Sequence, residues 1–160
     1  MRVHVAVAAL AMLISNDLPA TQDDAPSVQI IVAPIRKDAI ECGIQESLIE
    51  SAAASALRSN GVQTVAESSE GNVAGSHPYL VVSANVLRPG NCVANLLVEI
   101  KETVSFAQEA AGGFSPKAGN TWTVLCSSGT LMTGPAEQAG QHFYRAVESN
   151  VRGCLRQLDY

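Results

Sequence analysis

The sequence predicts an α+β fold, a two-layer sandwich in which two helices cover one face of a mostly antiparallel sheet, in the order β-α-β-β-β-β-α. Two observations predict it. Two neighbouring segments joined by Pro89-Gly90-Asn91 alternate apolar and polar residues, which is typical of strands with one buried face. Two other segments place apolar residues at helical spacing. With 160 residues, 47% of them hydrophobic, the chain suits one domain with a core of its own.

Residues 1–20 have the pattern of a signal peptide. One arginine precedes an apolar run, Val3–Ile14, that is too short to span a bilayer. Ala20 supplies the small residue that a cleavage site needs, and a second site follows Ala25. A buried N-terminal helix is the alternative. We expect an exported protein, periplasmic or secreted, with one mature α+β domain over 21–160 and no transmembrane helix in it.

The mature domain begins with a predicted β-α-β unit. Ser27–Ile35 is nearly continuous in apolar and β-branched residues, as in a strand covered on more than one side. A capping box formed by Asp38 and Glu41 starts the helix, and Gly61 ends it. The second strand follows, and a right-handed crossover would make it parallel to the first. The helix has one apolar stripe: Ile44, Leu48, Ile49, Ala52, Ala53, Ala56 and Leu57.

A hairpin over Tyr79–Phe106 organises the predicted core. The core faces of both strands fall on even numbers: Leu80, Val82, Ala84 and Val86, then Leu96, Val98, Ile100, Val104 and Phe106. Placing Arg88 opposite Cys92 therefore pairs apolar residues across the strands: Val86 with Ala94, Ala84 with Leu96, Val82 with Val98, and Leu80 with Ile100. A slip of one residue would bury Glu99 and Lys101, so the pattern selects one register.

Two loops and two elements complete the prediction. Glu67–His77 and Ala107–Asn120 are rich in polar residues and glycine, which favours loops. The last strand, Thr121–Thr133, is expected to face the core with Trp122, Val124 and Cys126. Pro135 suits the first turn of the final helix. The apolar stripe of that helix is Ala139, Phe143, Val147, Val151, Cys154 and Leu158.

The mature chain has four cysteines, Cys42, Cys92, Cys126 and Cys154. An even number behind an export signal favours disulfides over buried thiols, and their spacing matches no zinc or redox motif. In the favoured layout the third strand runs antiparallel to the second. Cys42 and Cys154 then meet at one end, and the other two cysteines stay too far apart to bond. If it runs the other way, Cys42 pairs with Cys92. The residues leave this connectivity open.

The sequence offers little for catalysis or for nucleic-acid binding. The net charge is −5, and the ten basic residues form no cluster, so we expect no nucleic-acid partner. His77 and His142 have no neighbouring ligands at metal-site spacing. We expect no cofactor, no metal and no enzymatic activity. The alternative is a small secreted enzyme that uses Cys126 or His142.

The remaining candidate is the odd-numbered face of the hairpin and last strand. It has apolar residues where a solvated face is usually polar, and the candidate partner residues are Tyr79, Val81, Leu97, Lys101 and Leu125. A wet face of an antiparallel sheet is the simpler explanation. A third hypothesis is a carrier with a small apolar ligand beneath the loop Ala107–Asn120.

Three segments resemble the N-terminal domain of the periplasmic protein TolB and related envelope modules of the LpoB and CsgG type. They are the strand Ile30–Ile35, the helix end and glycine turn Leu57–Val62, and the apolar strand Tyr79–Val82. The chain differs by having Ile35 where those families often have phenylalanine, by its four cysteines and by lacking a lipid-anchor cysteine. The resemblance implies a non-enzymatic envelope module that binds another envelope or secreted protein. It transfers no site residues.

Overall fold

The structure is a computed structural model that describes residues 26–65, 77–87, 91–108 and 117–159, without the side chains of 105–108 and 117–119. The predicted signal peptide and most of both predicted loops lie outside these residues. The elements in chain order are β1 (Ser27–Val32), α1 (Lys37–Glu41), α2 (Glu46–Arg58), β2 (Gln63–Val65), β3 (Tyr79–Leu87), β4 (Cys92–Gln108), β5 (Lys117–Gly134) and α3 (Ala136–Gln157).

The five strands form one sheet in the order β2-β1-β3-β4-β5. β1 is parallel to both of its neighbours, and the longer β3, β4 and β5 pair antiparallel. This confirms the α+β class, and the β1-helix-β2 unit is parallel as predicted. The register of the hairpin is also confirmed, with Leu80 opposite Ile100 and Val86 opposite Ala94.

The favoured direction of the third strand was wrong. β3 pairs with β1 in parallel register, Gln29 to Tyr79 and Val32 to Val82, so it also runs parallel to β2. β1 lies between β2 and β3. The direction of β3 therefore depends on its pairing with β1, a contact between distant residues that local patterns of alternation do not reveal.

The predicted first helix is two helices. α1 ends at Glu41, with Cys42 as its C-cap residue. The next residue, Gly43, takes a left-handed conformation with φ +73°, and α2 starts at Glu46. The predicted capping box is absent, because Arg36 occupies the N-cap position of α1 and no side chain caps it. Asp38 lies in the first turn instead. The break in the helix places Cys42 in a turn.

The last two strands are longer than predicted and contain an irregularity. β4 extends to Gln108 and β5 starts at Lys117, so both ends of the predicted second loop are strand. Cys126 pairs with Ile100, but the next pair is Lys101 with Val124, which leaves Leu125 as an extra residue in β5. Such a bulge changes the face on which the following side chains lie. The prediction that Trp122 and Val124 face the core was therefore wrong.

One continuous core fills the space between the sheet and the helices. The even-numbered side chains of β3, and those of β4 as far as Ile100, pack there with the stripes of α2 and α3. Its largest fully buried side chains include Phe143, Ile49, Leu57, Leu80 and Leu96. Leu48 and Val104, predicted for this core, are 44% and 41% exposed. None of the helices among the described residues is long and apolar enough to cross a membrane.

A buried amide fixes α3 on the sheet. Asn150 is 8% exposed, and its Nδ2 donates to Thr130 Oγ1 at 2.9 Å. The hydroxyl of Ser128 donates to Asn150 Oδ1. These hydrogen bonds replace the hydrogen bonds to water that the three side chains lose on burial.

Candidate partner-binding surface

The face of the sheet opposite the helices is formed by the odd-numbered residues of β1, β3 and β4. On this face Tyr79 and Val81 are half-buried, and Ile31 and Leu97 are 37% and 36% exposed. Strand alternation explains the arrangement, because β1 and β3 are in register at Ile31 and Val81. We call this surface the open face.

Two aromatic rings frame a small cavity on the open face. Tyr79 and Trp122 meet edge to face, with ring centroids 5.0 Å apart and planes at 75°. Such a geometry is favourable for aromatic pairs. The cavity has a volume of about 180 Å³, and we call it the open-face pocket. Its lining residues are Ile31, Tyr79, Val81, Lys101 and Trp122.

The pocket has one charged residue in its lining, and that charge is paired. Lys101 Nζ lies 2.8 Å from Glu99 Oε2, and these two residues are two positions apart on β4. Both side chains are partly shielded, with exposures of 27% and 18%. The ion pair gives the pocket a polar rim without a net charge.

The structure brings together three of the five predicted partner residues. Tyr79, Val81 and Lys101 line the pocket. Leu97 lies further along the open face, opposite Ser83 of β3. Leu125 is the bulge residue of β5 and is outside the pocket lining.

Sequence reasoning missed Ile31 and Trp122 as pocket residues. Ile31 follows from alternation in β1 once that strand is known to be the neighbour of β3, and this pairing is a tertiary fact. Trp122 was assigned to the core because regular alternation from Cys126 places it there. Among local sequence features we find none that marks the bulge at Leu125.

The four cysteines form two disulfides, and of the two alternatives left open for Cys42 the structure has the bond to Cys92 and not to Cys154. Cys42 bonds Cys92 with a Cα separation of 6.0 Å, and Cys126 bonds Cys154 at 5.5 Å. The parallel direction of β3 is the reason, because it places the start of β4 beside the turn after α1. All four cysteines are buried. Cys126 therefore has no thiol for the alternative nucleophilic role while the bond is intact.

The two histidines of the described residues, His77 and His142, lie on different segments of the chain. His77 Nδ1 is 2.9 Å from Ser27 Oγ, beside the start of β1, and His142 is exposed on α3. Within the described ranges, no group of three or more His, Cys, Asp or Glu side chains is placed to hold a metal ion.

Comparisons with known proteins show only remote likenesses. No family model matches the chain, and no curated protein matches it. Among solved structures, a dodecamer of a PelC variant from Paraburkholderia phytofirmans has 15% identity over 84% of this chain and 88% of that chain, with a TM-score of 0.39. A second PelC dodecamer from that organism has 14% identity over 83% and 86%, with a TM-score of 0.36.

A minor lipoprotein from Acinetobacter baumannii has 11% identity over 84% of this chain and 89% of that chain, with a TM-score of 0.28. All three TM-scores are below 0.5, so these likenesses support neither a family nor a function for this chain. The similarity to TolB and its relatives stays a resemblance in sequence pattern.

Proposed function

We propose that this chain is an exported, non-enzymatic domain of the cell envelope that binds another protein through the open-face pocket. The observation that supports it best is the aromatic-framed cavity on the side of the sheet that the helices leave uncovered. Aromatic side chains at the centre of an interface commonly provide most of its binding energy.

The size of the pocket favours a protein side chain as its occupant. Pockets for drug-sized ligands have volumes of about 300–1,000 Å³. The open-face pocket, at about 180 Å³, is smaller and suits one apolar or aromatic side chain. This argues against the carrier hypothesis at this position, because a carrier has to enclose most of its ligand.

The surroundings of the pocket are better suited to binding a protein than to catalysis. The lining residues other than Lys101 are apolar or aromatic, and the Lys101 ammonium is already paired with Glu99. An interface with an apolar centre and a polar rim has the same composition. We expect the partner to insert one large apolar side chain and to place polar groups against the ion pair.

Two features support export. Buried disulfides form and persist in oxidising compartments, and this domain has two. The apolar run near the N-terminus has the length of a signal peptide. Together they support a periplasmic or secreted location.

Photo-crosslinking in cells that produce the full chain tests the proposal. A photoreactive phenylalanine analogue at Val81 should yield a discrete adduct with one protein, whereas the same analogue at Glu137 on α3 should not. Trp122→Ala should reduce the Val81 adduct, and binding of the purified partner should weaken about thirtyfold or more, as expected for a hot-spot residue.

Leu131→Ala is the matched control, because Leu131 is also an exposed apolar residue of β5 and is 74% exposed. It should leave binding within about twofold, as for most interface-distant residues. Equal adducts from Val81 and Glu137, or no effect of Trp122→Ala, would contradict the proposal.

A further inference from the structure

We propose that a groove along the outer edge of β1 binds an extended, basic segment of another protein, which adds to the sheet as a strand. This site is separate from the open-face pocket, although Ile31 borders both cavities. The inference does not depend on the proposed function above.

Over the described residues, β2 pairs with only the first half of β1. β2 has three residues, and they pair with Ser27, Val28 and Gln29. In the described part of the chain, no strand pairs with Ile30–Val32 on that side. Exposed strand edges present free backbone N–H and C=O groups, and extended peptides bind to them by main-chain hydrogen bonds.

The backbone of β1 shows which amide is presented. The N–H groups of Gln29 and Ala33 donate to Pro78 and Val82 carbonyls on the β3 side, at 3.0 and 2.9 Å. Peptide groups alternate in direction along a strand, so the N–H of Val32 points toward the groove. Hydrogen exchange at this amide should therefore become slower when a strand is added.

The groove is large enough for a peptide segment. Its volume is about 540 Å³, three times that of the open-face pocket. The lining residues are Ile30, Ile31, Val32, Glu46, Glu50, Ala54, Thr64 and Val65. The strand edge forms one side, and one flank of α2 forms the other, where the small Ala54 leaves space.

Two carboxylates on α2 determine the chemistry of the occupant. Glu46 and Glu50 are one helical turn apart, which is a rise of about 6 Å. Alternate residues of a strand are about 6.6 Å apart, so lysines or arginines at positions i and i+2 would reach both carboxylates. Among the described residues, neither glutamate forms an ion pair.

Charge also argues against this chain's own residues 66–76 as the occupant. That segment contains two glutamates and no lysine or arginine. Placing it beside Glu46 and Glu50 would bring together charges of the same sign, which is unfavourable. A basic segment from another protein is the complementary choice.

The test uses the full mature protein and a capped synthetic peptide, Thr-Lys-Val-Lys-Val-Lys-Thr. We expect saturable binding in a calorimetric titration at low salt. Slower hydrogen exchange at the Val32 amide should accompany it. E46Q/E50Q should weaken binding about threefold to tenfold, within the range of two partly exposed ion pairs.

Two controls separate strand addition from general attraction between opposite charges. E102Q/E137Q changes the net charge by the same amount at sites off the groove, and it should leave the affinity within about twofold. A peptide with the same side chains but N-methylated at every residue cannot donate main-chain hydrogen bonds, and its methyl groups keep its carbonyls from approaching the Val32 N–H. It should therefore not slow exchange at Val32.

Three results would overturn the proposal. The first is no saturable binding, and the second is equal weakening by E46Q/E50Q and E102Q/E137Q. The third is a Val32 amide that is already protected in the peptide-free protein, because the chain would then cover its own strand edge.

Discussion

A close contact between two glycines joins α3 to the turn after α1. A Cβ built on Gly140 would lie 2.6 Å from the carbonyl oxygen of Gly43, and Gly140 is buried. Next to this contact, the hydroxyl of Tyr144 donates to that same Gly43 carbonyl at 2.6 Å and accepts from the N–H of Gln45 at 3.1 Å. A few atoms thus determine how closely the helix approaches the turn.

Gly140→Ala should destabilise the domain by about 1–3 kcal/mol, because the added methyl group meets backbone that has no soft side chain to yield. Gly153→Ala is the control in the same helix, where a Cβ would meet nothing within 4 Å. It should stabilise by about 0.5–1 kcal/mol through helix propensity. Urea unfolding with intact disulfides measures both, and equal effects of the two substitutions would contradict the steric argument.

Tyr144 should make stability depend on alkaline pH. Burial raises the pKa of its hydroxyl above 10.0, although the hydrogen bond from the Gln45 N–H opposes this in part. Below pH 10 the Tyr144 hydroxyl keeps its proton in both the folded and the unfolded protein, so its contribution to the free energy of unfolding is complete. Above pH 10 the unfolded protein loses this proton first, so the free energy of unfolding falls as the pH rises.

Tyr144→Phe should cost about 1 kcal/mol at neutral pH through the lost hydrogen bonds. The difference between the two proteins should narrow above pH 10, and unfolding series at pH 7 to 11 measure it. A difference that stays constant or grows over that range would show that the raised pKa has no effect on stability.

At the scale of elements, α2 depends on alanine to lie close to its neighbours. Ala53 and Ala56 are fully buried and Ala52 nearly so, while the neighbouring Ser51 and Ser55 are exposed. Helical spacing in the sequence predicted this stripe correctly. The start of the helix was not predictable in the same way, because Tyr144, a residue of α3, bonds to the turn that separates α1 from α2.

Ala53→Leu should destabilise the domain by about 1–3 kcal/mol, because the larger side chain has to force α2 away from the core. Ser55→Leu adds a side chain of the same size at an exposed position of α2 and should change stability by less than about 0.5 kcal/mol. Thermal unfolding of the two variants compares them directly. Similar losses in both would contradict the packing argument, because Ser55→Leu fills no buried space and leucine has the higher helix propensity.

At the scale of the whole molecule, each disulfide joins a helical segment to the sheet. Cys42, at the end of α1, bonds the first residue of β4, and Cys126 of β5 bonds Cys154 near the end of α3. The bonds close segments with sequence separations of 50 and 28. Together they attach helices from both halves of the chain to the antiparallel strands.

Peptide mapping of the unreduced protein should recover Cys42 with Cys92 and Cys126 with Cys154. Replacing either pair with alanine should cost about 3–4 kcal/mol in unfolding free energy, according to the chain-entropy estimate for segments of this length. Urea unfolding of each double variant measures the loss. A peptide that contains Cys42 bonded to Cys154 would contradict the parallel direction of β3.

Part of the candidate site was predictable, and part was not. Alternation identified the open face and its residues Tyr79, Val81 and Lys101, because a period of two depends only on neighbouring residues. The second aromatic residue, Trp122, was assigned to the wrong face. One extra residue at Leu125 inverts the pattern, and its cause lies in the pairing of β5 with β4.

The α+β class, the hairpin register and the core face of the hairpin could be predicted from the sequence alone, since each follows from the burial of apolar side chains at fixed local periods. The direction of β3, the disulfide partners and the open-face pocket could not. These features depend on which strand β1 pairs with and on the bulge in β5. Both are contacts between distant residues, and several pairings would bury the same apolar side chains equally well.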